Sequence, residues 1–450
     1  MKKALLAGVA LVFVAVLAAV GYGVHLVGTL NTPAFQKTLV DQATAAAGAE
    51  VRAREMHISL FSGVTLKGIA IANPAPFPGD FLTADAFVLR YRVLPLLAGH
   101  VEVERLALER PRLALTMDAR GGFNYEKLGG SARAGAKAPP AAAPAAVVPL
   151  RIVLKQLAVK HASVVMTDHT KARLLAVEDI DFRSAFEVEA GIAQGSGQAS
   201  IATLNLADLL FVRGVEAPLS MSKETVKLAP IRGRVAGGRA AGDLTVYLKG
   251  GFRYVANLEV TGANVKTLLA EAKSGGGVSG TLVAKGTFEG SGGLPTMKGH
   301  GRGTITDCRV EHGRTLALLA GILQVPELAS PDFDECRAEF TQSGARLSTP
   351  VLSLEGPAVR LTGKGAVNLV TYGLDYQMSL ALAPKVFAKV TRPELRPAFE
   401  ERGDGFFAID FRLYGTTLDP QTDLLSRIGK AAATEAAKEQ LNRLFKRKVF

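Results

Sequence analysis

The stretch VRLTGKGAVNLVTYGLDYQMSLAL, residues 359–382, decides the fold. Val359, Leu361, Val367 and Leu369 alternate with Arg360, Thr362, Lys364 and Asn368, with glycine or alanine between. Beyond Gly373, the residues Leu374, Tyr376, Met378, Leu380 and Leu382 alternate with Asp375, Gln377 and Ser379. A period of two sends successive side chains to opposite faces of a strand, so each run has one apolar and one polar face. The pattern recurs upstream at Leu244, Val246 and Leu248, at Phe252 and Tyr254, and at Leu258 and Val260. From residue 150 to about 383 the chain reads as strand after strand, with glycine-rich turns at 275–277 and 290–293. Two helices interrupt it, at 265–273 and 314–325. In the second, Leu316, Leu319 and Leu323 align while Leu318 and Ile322 widen the stripe, which predicts burial against the sheet.

Nearer the N-terminus, 32–48 predicts a short helix. Pro33 sits in its first turn, Phe35 and Leu39 share a face, and Gly48 stops it. Strand pairs follow: Val64/Leu66, Ile69/Ile71, Phe87/Leu89, Val101/Val103, Leu106/Leu108 and Leu113/Leu115. Residues 131–149 hold nine Ala and four Pro without apolar periodicity, and the prolines argue against a helix. This segment reads as a linker or a long loop on a sheet. The tail, 424–450, has helical propensity and ends in Lys446-Arg447-Lys448, either as a membrane-surface helix or as a cap on the end of a sheet.

Residues 4–24 carry no charge, follow Lys2-Lys3, and precede the next charge at Lys37. As a helix, 21 residues rise roughly 31 Å, matching a hydrocarbon core of about 30 Å. The lysines place the N-terminus in the cytoplasm and the remainder outside, which in a bacterium is the periplasm. The run is longer than the apolar region of a cleaved signal peptide, which favours an anchor over cleavage. The 450 residues carry 53 Lys+Arg and 41 Asp+Glu, and 53 − 41 gives +12. That charge is spread rather than blocked, so nucleic acid is not an expected partner. An apolar fraction of 48% excludes a disordered tail protein, and two cysteines exclude a disulfide scaffold or cysteine-rich zinc protein.

Enzymatic chemistry leaves little trace. The seven histidines have no metal-ligand spacing; the nearest approach to a cluster is His161 with Asp168-His169. Gly299-His300-Gly301-Arg302-Gly303 lacks the third glycine and the following helix of a nucleotide loop, and reads as strand glycine. Asp179/Asp181 and Glu187/Glu189 have strand spacing and read as solvent-facing. No nucleophile elbow or phosphate loop is present. The expectation is a protein that is not an enzyme and takes no cofactor or metal.

The apolar face remains. With two internal helices as cover, so many strands must curve into a barrel, a sandwich with its own filled core, or a gutter whose core is completed by acyl chains. A dozen buried methylenes would contribute on the order of 10 kcal/mol. The expected lining is Leu244, Val246, Leu248, Phe252, Tyr254, Leu258, Val260, Val359, Leu361, Val367, Leu369, Leu374, Tyr376, Met378, Leu380 and Leu382. Replacing Leu248 or Leu380 by Asp is expected to abolish bound lipid while the fold survives. Cys308 and Cys336 flank the helix at 314–325, either as a disulfide or as two buried thiols.

The apolar N-terminal run is followed by Gly68-Ile69-x-Ile71-x-Asn73-Pro74, Phe81-Leu82-x-Ala84, Leu94-Pro95-Leu96-Leu97-x-Gly99, Leu106-x-Leu108-x-x-Pro111-x-Leu113-x-Leu115 and Asp118-x-x-Gly121-x-x-Asn124. In these motifs and their order the chain resembles the AsmA family of bacterial envelope proteins. In the C-terminal half the resemblance is carried by Gly301-x-Gly303-x-Ile305-x-Asp307, Leu352-x-Leu354-x-Gly356, Val359 to Leu369 and Leu413-Tyr414-Gly415-Thr416. It implies an inner-membrane anchor with a periplasmic β-gutter, akin to TamB-like and other bridge-like lipid-transfer relatives, serving outer-membrane lipid homeostasis. No catalytic residues come with it. The expected architecture is mainly β: an elongated, curved antiparallel sheet forming a groove, with an N-terminal transmembrane helix and a few short helices. Its parts are an anchor (1–30), a helix-plus-β domain (31–130), a linker (131–149), a groove domain (150–420) and a basic C-terminal helix (421–450). Expected partners are phospholipid, the inner membrane, and a periplasmic or outer-membrane protein. The competing function is an assembly factor that pairs edge strands with folding outer-membrane proteins.

Overall fold

The computed structural model describes residues 32–433 apart from 60–62, 93–94, 96–99, 129–150, 190–191, 250–252, 274–276, 292–293, 312–319, 392, 418 and 432. The expected anchor, the linker, Phe252 and most of the basic tail lie outside the described residues. No helix among the described residues is long and apolar enough to cross a membrane. The described chain is a large β-sheet of 22 strands with few short helices. It divides into two compact units, one running to Arg234 and including Ala241–Tyr254, the other comprising Val235–Ala240 and everything from Val255 onward.

The first unit opens with helix α1, Pro33–Ala47. The Thr32 hydroxyl accepts from the Phe35 amide at 3.4 Å, and Gly48 closes the helix at φ 65°, a left-handed conformation that glycine adopts without a Cβ penalty. Phe35 and Leu39 pack on a core of Ile58, Val64, Ile69, Phe87, Leu89 and Val103, while Ala43 and Ala47 pack on Val51 and Ile71. These core residues come from β1 (Val51–Arg52), β2 (Glu55–Ser59), β3 (Gly63–Ala72), β4 (Asp80–Tyr91) and β5 (His100–Glu109). Every neighbouring pair among them is antiparallel, with β3 as the common partner of β1, β2 and β4.

The sheet is antiparallel as expected except at one place. Strand β7 (Arg151–Thr167) runs parallel to both β5 and β6 (Arg112–Thr116). Parallel neighbours need a crossover of a dozen or more residues, and 117–150 supply that length between β6 and β7. Antiparallel pairing resumes through β8 (Arg173–Glu189), β9 (Ile192–Leu206), β10 (Leu210–Met221) and β11 (Thr225–Val235).

At the start of the crossover stands Asn124, fully buried. Its Nδ2 donates to Asn73 Oδ1 at 2.7 Å and to the Ala114 carbonyl at 2.8 Å, and its Oδ1 accepts from the amides of Thr116 and Tyr125. Asp118 turns the chain just before it by accepting from the Arg120 and Gly122 amides, which hold its carboxyl below the usual range. All four polar valences of the Asn124 amide are therefore met inside the fold, an arrangement that is costly to disturb.

In the second unit, β14 (Gly277–Gly290), β15 (Lys298–Glu311), β16 (Asp332–Ser343), β17 (Arg346–Glu355), β18 (Val359–Asn368), β19 (Gly373–Leu382) and β21 (Phe407–Thr416) pair in that order, all antiparallel. Strands β20 (Glu400–Glu401) and β22 (Pro420–Thr422) add short pieces to β21. Strands β12 (Gly238–Tyr247) and β13 (Tyr254–Asn264) straddle the division, and helix α2 (Val265–Glu271) follows β13, capped by the Asn264 side chain.

One end of these strands carries a packed core. Cys308, Phe333, Cys336, Val359, Leu380, Leu382 and Ile409 lie beneath Leu323, Val325 and Leu328, helix α3 (Pro384–Phe387) with the turn Pro393–Ala398, and Leu424 and Ile428 of the C-terminal helix. The described part of that helix is thus a cap on the sheet. Cys308 and Cys336 are joined in a disulfide that closes a loop with a sequence separation of 28 and staples β15 to β16 under this layer.

Two outcomes follow in urea unfolding. Asn124→Ala leaves several buried groups unpaired and is expected to destabilise the first unit by about 2–3 kcal/mol. Cys308→Ser is expected to cost the second unit about 3 kcal/mol, the scale of the loop-closure entropy it releases; an unchanged midpoint would show that the lid core holds this end without the staple.

Candidate functional site: the apolar floor of the second unit

Register places the apolar side chains of the second unit on one face. Val367 lies opposite Leu374 and Leu347, Tyr376 opposite Leu413, and Met378 opposite Phe411. The middle of this face is built from glycines covered by side chains of the next strand. A Cβ at Gly301 would lie 2.6 Å from the Phe340 ring; Tyr376 lies over Gly365, and Met378 over Gly363, even more tightly. Phe288 and Phe340 stack at 6.0 Å between centroids. Rings lying flat on glycine leave a shallow apolar floor, because no Cβ stands up between them.

Among the described residues, the lid core covers one end of the floor. Val359, Leu380 and Leu382 are 1%, 1% and 0% exposed and belong to the lid core, with Leu361 and Phe411 packed against it. Toward the other end, Phe288, Phe340, Leu347, Val367, Leu374, Tyr376 and Leu413 are half-buried, and none of them packs against the lid core. Polarity changes along the same direction. The open part includes Gln342, whose amide donates to the Gly344 carbonyl, and a 2.9 Å bond between Tyr376 Oη and Thr349 Oγ1.

The expected lining residues therefore fall into different environments. Val367, Leu369, Leu374 and Tyr376 are on the half-buried part, and Met378 is buried at the boundary. Leu244, Val246 and Leu248 are half-buried in the 241–254 segment of the first unit. Tyr254 and Val260 are half-buried, burial pushing the Tyr254 phenol up, whereas Leu258 is 46% exposed. The expectation that Leu380→Asp would leave the fold intact changes, because Leu380 is sealed beneath the lid. Sequence reasoning missed Phe288, Phe340, Leu347 and Leu413. The available signal was the alternate-position spacing of Gly299, Gly301 and Gly303, which sets small residues in register with those rings.

The opposite face is polar and holds a depression of about 1470 Å³, lined by Arg337, Lys364, Asp375, Gln377, Asp410 and Arg412 among others. The expected concavity was on the apolar face; in this unit this depression lies on the polar one. The lid core packs over part of the apolar side and fills space there. Arg412 donates from Nε and Nη2 to the two Asp375 oxygens at 2.7 and 2.9 Å, which holds the Asp375 carboxyl below its ordinary range. Asp423 accepts from the Arg412 amide at 2.6 Å and from Arg427 Nε at 2.7 Å.

Among the described residues no group of three or more His, Cys, Asp or Glu could hold a metal ion. Asp168 is occupied by its own turn, accepting from the Thr170 and Ala172 amides. His161 Nδ1 instead meets Asp179 Oδ1 at 2.7 Å with both side chains more than half exposed, while Asp181 accepts from the His161 amide. These contacts bridge β7 and β8 where the register slips between Val159 and Val164, and they account for both aspartates as strand-bridging groups.

Neither a curated protein nor a solved structure matches the sequence. A family model described as AsmA family matches residues 1–225, half of the sequence, and ends before the second unit begins. That span contains the helix α1 layer, the Asn73–Asn124 knot and the parallel addition of β7, and the chain belongs to the AsmA family.

Proposed function

We propose that this protein binds and transfers phospholipid, holding acyl chains on an apolar β-floor and performing no covalent chemistry. One observation carries the reading: the apolar face of β14–β21 is covered by the chain's own lid core at one end, and its other end is half-buried outside that core. A face of Leu, Val, Phe and Tyr in water is unfavourable at roughly 25 cal/mol per Å², and an acyl chain relieves that cost without needing a specific partner geometry. Family membership and the mainly β fold are consistent with lipid-transfer relatives.

On this reading the uncharged run at 4–24 anchors the chain in the inner membrane and the described units work in the periplasm, supporting outer-membrane lipid homeostasis. The Cys308–Cys336 disulfide suits such an oxidising compartment. Edge pairing with folding outer-membrane strands draws less support from the second unit. There β20 has two residues, and β22 has three and begins with Pro420, a poor template for strand addition.

The test compares two aspartates on the same strand face. Leu374→Asp, on the open part of the floor, is expected to cut phospholipid transfer between vesicles at least about tenfold with little change in unfolding midpoint. Leu380→Asp buries a charge in the lid core and is expected to cost several kcal/mol and unfold the second unit. Transfer that survives Leu374→Asp and Val367→Asp together would remove the floor from the function.

A further inference from the structure

Two hydroxyls stand inside the apolar floor. Thr349 and Tyr376 lie in one register row, opposite Gly365 from either side. The Tyr376 ring lies across Gly365, and its Oη reaches Thr349 Oγ1 at 2.9 Å. Thr349 is 8% exposed and Tyr376 is half-buried. The same face continues into Leu347, Val367 and Leu374 on one side of this row, and into Leu352 and Met378 on the other.

Each hydroxyl carries one proton and two lone pairs. The bond between them uses one proton, whichever oxygen donates, and among the described residues neither hydroxyl makes another bond. One O–H proton is therefore left over. Water can meet it while the floor is bare; a hydrocarbon chain laid over the pair cannot. The buried Ser184 is different, since its hydroxyl donates to the Ser196 carbonyl. Valine and phenylalanine would fill similar shapes with no bond to satisfy, so packing alone does not call for the hydroxyl pair.

Resting on the lipid-binding reading above, we infer that the Thr349–Tyr376 pair binds the ester carbonyl of an acyl lipid and so selects ester-linked lipids. A ligand of pure hydrocarbon would bury the surplus proton without an acceptor, a larger loss than one ordinary hydrogen bond returns. A carbonyl oxygen takes that proton, and the bond within the pair is kept. The ether oxygen of a dialkyl lipid is a poorer acceptor. Either oxygen of the pair can be the donor to the other, so the surplus proton can be presented from Thr349 or from Tyr376.

The test gives the full chain two phosphatidylglycerols of equal chain length, one diacyl and one dialkyl ether, in matched phosphatidylcholine vesicles, and compares their transfer. The parent is expected to favour the diacyl lipid about fivefold to tenfold, the scale of one hydrogen bond. T349V and Y376F each leave one O–H and are expected to keep a preference. T349V/Y376F leaves none and is expected to bring the two rates level, with little change in unfolding midpoint. The parent ratio tests the inference even if the double variant fails to fold. A fatty acid methyl ester should compete with the diacyl lipid at least as well as the free acid; competition by the acid alone would assign the pair to a carboxylate and overturn the inference. Equal transfer of the two lipids by the parent, or a preference that survives in the folded double variant, would also overturn it while leaving lipid binding intact. Transfer of neither lipid would instead overturn the lipid-binding reading and this inference with it.

Discussion

The constraint on which the rest of the second unit depends is the parity of its strands. Because side chains alternate, each of the seven long strands from β14 to β21 sends half its residues to one face. That face is apolar from Val278 and Leu382 at one end to Phe288 and Val367 at the other. It must be covered, and the described residues supply a cover for one end. The lid segments, the disulfide under them and the tail helix with Leu424 and Ile428 all serve that end. The remainder is kept low by glycines roofed with rings from neighbouring strands, which reduces the area that water meets without closing the face.

The first unit meets the same constraint differently. Helix α1 lays Phe35 and Leu39, then Ala43 and Ala47, along the apolar side of β1–β4, with the alanines against Val51 and Ile71. The Asn124 amide fixes the chain as it leaves β6, so that after the crossover β7 returns parallel to both β5 and β6. The exposed ion pairs on the polar faces contribute little each. They mark which face meets water.

Much of this was legible in the sequence because its signals are local. Alternation located the strands, Thr32, Pro33 and Gly48 bounded α1 at 33–47, and Val265 began α2. What was not legible depends on register. Nothing local shows that Gly301 would sit opposite Phe340, or that β7 would turn back parallel. Nor does the alternation of 374–382 distinguish Leu374 on the open floor from Leu380 beneath the lid, since the covering residues, among them Val386, Val390 and Leu424, are supplied by separate segments of chain. In the sequence these glycines look like turn or strand punctuation, whereas their structural role is to admit a neighbouring ring.

The central claim is that a lipid completes the half-covered face, and lipid content tests it most directly. A form beginning at residue 31 would be isolated from the periplasm without detergent and its organic extract weighed by mass spectrometry against protein. The account predicts phospholipid in stoichiometric amount, displaced when Leu374 is replaced by Asp. A monodisperse, folded protein free of lipid would contradict it and leave the floor as a surface that the protein itself closes.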